Sequence, residues 1–86
     1  MATKTLVGGV VHYFAKIGVA ALKMTGELKV GDRISIEHKD GSVVLEETVN
    51  SMQVNHASVQ TAKAGDDVAI KVSEKVHEGN LVYKIQ

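Results

Sequence analysis

Two stretches of this chain repeat one another, and the repeat constrains the fold more than any other feature. Gly31-Asp32-Arg33-Ile34-Ser35-Ile36 and Gly65-Asp66-Asp67-Val68-Ala69-Ile70 each open on glycine and aspartate and then run into alternating aliphatic residues. A lysine stands two residues before each glycine, in Lys29-Val30 and Lys63-Ala64, and Gly79-Asn80-Leu81-Val82 is a looser third copy. Glycine permits a tight turn, and the side chain of Asp32, Asp66 or Asn80 can accept a hydrogen bond from a backbone N–H two residues on. The pattern is a strand-entry device. A chain that uses it repeatedly is built from short strands joined by turns.

The remaining segments agree. Lys4 to Phe14 reads as a first strand whose Gly8-Gly9 pair marks a bend or bulge, and Ala15-Lys16-Ile17-Gly18 reads as a hairpin loop with Gly18 in a left-handed conformation. Val19 to Met24 follows as a strand and ends at Thr25-Gly26. In Arg33–Lys39 the residues Ile34, Ile36 and His38 alternate with Arg33, Ser35 and Glu37, which predicts one apolar and one polar face. Asp40-Gly41 is a two-residue hairpin signal, because both positions tolerate positive φ. Ser42 to Val54 would return as one strand with a break near Asn50-Ser51. Asn55-His56 is a tight turn, Asp67–Val72 and Leu81–Ile85 are further strands, and Ser73–Glu78 is a polar loop. A helical alternative exists only for Leu45–Val49 and Ser73–His77.

The expectation is therefore an all-β fold in a single domain spanning residues 1–86. Its core must be aliphatic, because the only aromatic residues are Tyr13, Phe14 and Tyr83. Ten basic and ten acidic residues cancel, so no global charge steers the chain toward nucleic acid or a membrane. No apolar run approaches the roughly 20 residues needed to span a bilayer, and the N-terminal run is too glycine-broken for a signal segment. With no cysteine, a reducing, cytoplasmic setting is the default.

The residues hold little that converges on catalysis. His12, His38, His56 and His77 are far apart in sequence, without the paired spacing of a zinc site, so no metal is expected. His38 reads as an edge-of-core residue; His56 and His77 read as solvated. Adjacent carboxylates in Glu46-Glu47 and Asp66-Asp67 point to opposite faces of a strand. The chain lacks the G-x-x-x-x-G-K-[ST] loop, so no nucleotide and no cofactor is implied. The best contact cluster is Lys16 with His12 and Tyr13, where a ring would stack on a base while the lysine meets a phosphate.

Around the repeat, Gly26-Glu27-Leu28-Lys29-Val30-Gly31-Asp32-Arg33-Ile34-Ser35-Ile36 and Ala62-Lys63-Ala64-Gly65-Asp66-Asp67-Val68-Ala69-Ile70 resemble the second domain of translational GTPases. Val7-Gly8 through Phe14, Val49-Asn50-Ser51-Met52-Gln53-Val54 and Lys75 through Ile85 look closer still to the barrel appended to collagenase-like peptidase family proteins that act in RNA hydroxylation, and to small elongation-factor-like proteins. The resemblance implies a closed six-stranded, Greek-key-like barrel. It also implies a contact with the aminoacyl end of tRNA through Lys16-Ile17-Gly18-Val19 and Lys63-Ala64-Gly65-Asp66-Asp67, which adds Gly18, Lys63 and Asp67 to the candidate binding residues. This hairpin carries one glycine where the factors have two flanking a basic residue.

Two functions follow as expectations. One is a non-catalytic module that associates with tRNA, rRNA or a ribonucleoprotein. The other is a protein-interaction or accessory domain for an RNA-modifying or peptidase-family enzyme, which predicts an exposed apolar patch or strand edge.

Overall fold

The computed structural model describes residues 3–86, and every element in them is a strand. β1 (Lys4–Phe14) and β2 (Val19–Met24) form the first hairpin. β3 (Leu28–Lys29), β4 (Arg33–Glu37), β5 (Val43–Thr48), β6 (Met52–Val54), β7 (Ala57–Val59), β8 (Thr61–Ala62), β9 (Asp67–Lys71) and β10 (Leu81–Ile85) follow. All strand pairs are antiparallel. Eight strands form one sheet in the order β5-β4-β10-β1-β2-β9-β6-β7, and β3 pairs with β8 in a separate ladder. The all-β expectation holds, but no closed ladder of six strands is found among the described residues. Neither stretch with a helical alternative is a helix: Leu45–Thr48 lies in β5 and Ser73–His77 is irregular.

The segment expected to return as one strand, Ser42–Val54, does break at Asn50-Ser51, and its halves part company. β5 pairs with β4 at one end of the sheet, whereas β6 pairs with β9 and β7 at the other. The β3–β8 ladder has two residues per strand, too short to show any period in the sequence.

The strand-entry device occurs three times with one geometry. The N–H of Asp32, Asp66 and Asn80 donates to the carbonyl three residues back, on Lys29, Lys63 and His77, at 3.0, 3.0 and 3.1 Å. In return, the backbone N–H groups of Lys29, Lys63 and His77 donate to the side-chain oxygens of Asp32, Asp66 and Asn80 at 2.9, 2.9 and 2.8 Å. The glycine before each acid or amide has positive φ (98°, 94° and 90°), as the third residue of a type II turn requires. The side-chain bond therefore runs back three residues and not forward two. The turn reverses the chain, so the preceding N–H lies beneath the side chain while the following N–H is already committed to a strand.

The other turns exchange roles relative to expectation. Only Gly41 of Asp40-Gly41 has positive φ, and His38 N–H donates to Ser42 O at 2.8 Å across a three-residue loop. Asp40 instead accepts from the Ser42 amide and hydroxyl at 2.9 and 2.6 Å. The two-residue hairpin with both central residues at positive φ is Asn55-His56, between paired Val54 and Ala57.

The core is aliphatic. Leu22, Met24, Leu28, Ile34, Ile36, Met52, Ile70 and Val82 are fully buried, with Tyr13 packed at the margin. Val76 anchors the otherwise polar 73–78 segment in this core. No helix in the described residues is long and apolar enough to cross a membrane.

Candidate functional site

β1 occupies the middle of the sheet, between β10 and β2, and carries two bulges. Its register slips between Leu6 and Gly8 against β10, and between Val10 and His12 against β2. Each bulge adds a residue and resets which side chains face the core. Val7 and Val10 point in and are buried, whereas Leu6, Val11 and Phe14 are 47%, 51% and 45% exposed. Ile17 at the hairpin tip is exposed too, so among the described residues β1 and its loop hold four of the five large hydrophobic side chains left to solvent; Val43 is the fifth. These side chains are spread along the outer side of β1 and its loop, and exposed apolar side chains concentrated on one element are a candidate interaction surface.

Small residues flank this run. His12 pairs with Ala21, Ala21 with Ala69 and Ala69 with Gln53, so the row across β1, β2, β9 and β6 has two alanines at its centre. A groove of about 330 Å³ lies over Gly8 and Gly9, with Leu6, Val11 and Leu81 among its walls and Lys23 and Lys39 at its rim.

Beside the apolar run is a polar cluster that the sequence pattern does not reveal. Ser35 and Glu37, expected on the polar face of their strand, are 0% and 2% exposed. β4 is flanked by β5 and β10, and Lys4 reaches over from β1. Its Nζ donates to Glu37 Oε2 at 2.7 Å and lies 5.2 Å from the centre of the Tyr83 ring. Ser35 Oγ donates to the same oxygen at 2.7 Å. The bond from Lys4 and then that from Ser35 outweigh the desolvation of the carboxylate and hold the Glu37 carboxyl below its ordinary value. The bond to Glu37 likewise raises the Lys4 ammonium. No buried side-chain nitrogen or oxygen among the described residues lacks a partner.

The residues singled out from sequence are not all neighbours. His12 and Phe14 share the outer face, their rings edge-on with centroids 4.5 Å apart, and His12 Nδ1 lies 3.4 Å from Glu78 Oε1. Tyr13, between them, points to the opposite face and packs against the core. Lys16 is exposed in the hairpin loop, and Gly18 closes that loop by donating to Phe14 O at 2.9 Å, with positive φ. Lys63 is exposed beside the Gly65-Asp66 turn, and Asp67 lies 3.5 Å from Lys23 Nζ.

Val19 pairs with Lys71 and Lys23 with Asp67. Lys16 and Gly18 therefore sit at one end of the β2–β9 ladder and Lys63 and Asp67 at the other, about 14 Å apart at some 3.4 Å per residue. Gly31, Asp32, Gly65, Asp66 and Gly79 belong to the turns described above. His38 is exposed, and its Nδ1 lies 3.3 Å from Asn80 Nδ2. It stands past the end of β4, beyond the edge of the core. No group of three or more His, Asp or Glu side chains is arranged to hold a metal ion among the described residues.

Fold and surface together define an all-β unit with an aliphatic core and an apolar outer face. No protein-family model matches the sequence. The chain is 41% identical, over 83 residues, to an uncharacterised protease of Methanocaldococcus jannaschii, covering 96% of this chain and 20% of that protein. It is 33% identical over 82 residues to a collagenase of Porphyromonas gingivalis, covering 94% of this chain and 22% of the collagenase. The chain thus spans about a fifth of the length of the curated relatives it matches.

Among solved structures it resembles the C-terminal domain of a Geobacillus thermoleovorans protein described as a U32 peptidase. The TM-score is 0.83 at 15% identity, covering 91% of this chain and 96% of that domain. A second structure of that domain also gives 0.83, at 16% identity. These matches favour the collagenase-like side of the resemblance, and the elongation-factor side gains no support from them.

Proposed function

We propose that this chain is a non-catalytic accessory domain of the kind carried by U32-peptidase-type proteins, and that the outer face of β1 docks on the catalytic portion of such a protein. The observation that carries this reading is the set Leu6, Val11, Phe14 and Ile17, left exposed along β1 and its loop in a chain whose relatives are about five times its length. A surface of that kind is covered by a partner in a stable assembly. A barrel-like closure of the sheet also belongs to this reading. It is supported by the backbone bonds from Val30 N–H to Gln60 O (2.9 Å) and from Gly31 N–H to Val49 O (2.8 Å), which tie β3 to both ends of the chain of strands.

The test mixes the 86-residue protein with the Methanocaldococcus jannaschii relative from which the matching segment has been deleted. Co-elution at about 100 μM, little changed by moderate salt and lost in a V11D/F14D variant with an unchanged β-sheet spectrum, is the expected result. No association, or association that ignores the substitutions, overturns the proposal. Salt-sensitive binding of tRNA to the same variant pair would favour a ribonucleic-acid partner instead.

A further inference from the structure

Gly8 and Gly9 are neighbours in the middle of β1, yet the fold asks different things of them. A Cβ on Gly8 would lie 2.8 Å from the backbone oxygen of Lys23, so that position must be glycine. A Cβ on Gly9 would meet nothing closer than Asn80 O at 3.6 Å, and Gly9 has no positive φ. A glycine inside a strand weakens it, and where no turn or clash requires one it often marks the close approach of a ligand or another chain. At Gly9 the missing side chain is the floor of the groove walled by Leu6, Val11 and Leu81.

The rim adds a charge. Lys23 and Lys39 line the groove and no carboxylate does; Lys23 Nζ is turned to Asp67 Oδ1 (3.5 Å) and Gly65 O (3.2 Å), whereas Lys39 makes no ion pair among the described residues. From the glycine floor and the unpaired Lys39 we infer that the Gly9 groove receives one leucine-sized side chain of a partner protein segment, with an adjacent carboxylate seated on Lys39. The inference rests on the docking reading above and names the anchor that the face recognises. The aliphatic walls select the side chain by burial, and the Lys39 ammonium selects the carboxylate by a charge-assisted hydrogen bond.

N-acetyl-leucine carries both groups at their shortest separation, and N-acetyl-leucine amide lacks the charge. Titrated into the labelled 86-residue protein and followed by amide shifts, the acid binds with low-millimolar affinity, as a ligand of its size should. Shifts are centred on Gly9, Val11, Lys23, Lys39 and Leu81, and the amide binds several-fold more weakly. Gly9→Val fills the groove and abolishes the shifts, Gly9→Ala weakens them, and Lys39→Gln removes the preference for the acid.

No saturable shift at Gly9 up to about 20 mM, equal binding of acid and amide, or unchanged binding in Gly9→Ala overturns the inference. Groove binding of the acid without association of the deleted relative would sink the docking proposal and leave the groove assignment standing. Association that survives Gly9→Val would sink the groove assignment alone.

Discussion

Alanine at Gly8 and alanine at Gly9 are expected to change stability in opposite directions, although the two residues are adjacent on one strand. At Gly8 the new methyl would sit 2.8 Å from a backbone oxygen of β2 and 3.4 Å from Met24 Sδ. The sulfur can give way, but the oxygen belongs to a strand paired on both sides, with β1 and β9, so the β1–β2 register must distort. Overpacking of this kind costs about 1–3 kcal/mol. At Gly9 the methyl meets only ordinary contacts, and replacing glycine reduces the freedom of the unfolded chain, a gain of about 0.4–1 kcal/mol. The unfolded-chain gain is common to both variants, so the predicted gap between them is the overpacking cost alone, about 1–3 kcal/mol. Urea unfolding reads it directly: with a slope near 1 kcal/mol/M, as small proteins show, the midpoints should differ by about 1–3 M. A Gly8→Ala protein as stable as wild type, or a Gly9→Ala protein less stable than Gly8→Ala, would refute the account of both positions.

Other expectations are as direct. Because the Glu37 carboxyl is held below its ordinary value, its contribution is complete above the unfolded glutamate value and is lost as pH falls through the lower folded value; Glu37→Gln should flatten the acid limb of a stability-against-pH curve in that window. Asn80→Ala strands the His77 N–H at a site only 4% exposed and should cost about 1–3 kcal/mol. Asp32→Ala and Asp66→Ala, at more accessible turns, should cost about 0.5–1.5 kcal/mol each, an order that thermal melts can check at roughly 4–8 °C per kcal/mol. Leu22→Ala opens a cavity at a fully buried position and should lower unfolding free energy by about 2–5 kcal/mol.

What could be read without the structure was local. The three turns with glycine at positive φ, and the bounds of β1, β2 and β10, follow from conformations that glycine alone adopts cheaply and from alternation over several residues. Even in the turn the side-chain bond runs back and not forward, because the pattern shows which residue caps and not which N–H the folded chain delivers to it. The contact cluster around Lys16 fared less well. His12 and Tyr13 stand on opposite faces, and Lys16 and Lys63 lie at opposite ends of the β2–β9 ladder, a separation that sequence spacing does not encode.

The sequence by itself determined that this chain turns often, makes short antiparallel strands and fills its core with aliphatic side chains. It did so because turn conformation and period-two alternation are properties of a few consecutive residues. Only the tertiary structure decided that β6 leaves β5 for the far end of the sheet, that Lys4 crosses β10 to cover Glu37, and that two bulges turn Leu6, Val11 and Phe14 outward around an empty Gly9. Each of these depends on which strand lies alongside, and that choice is made by burial summed over residues distant in the chain.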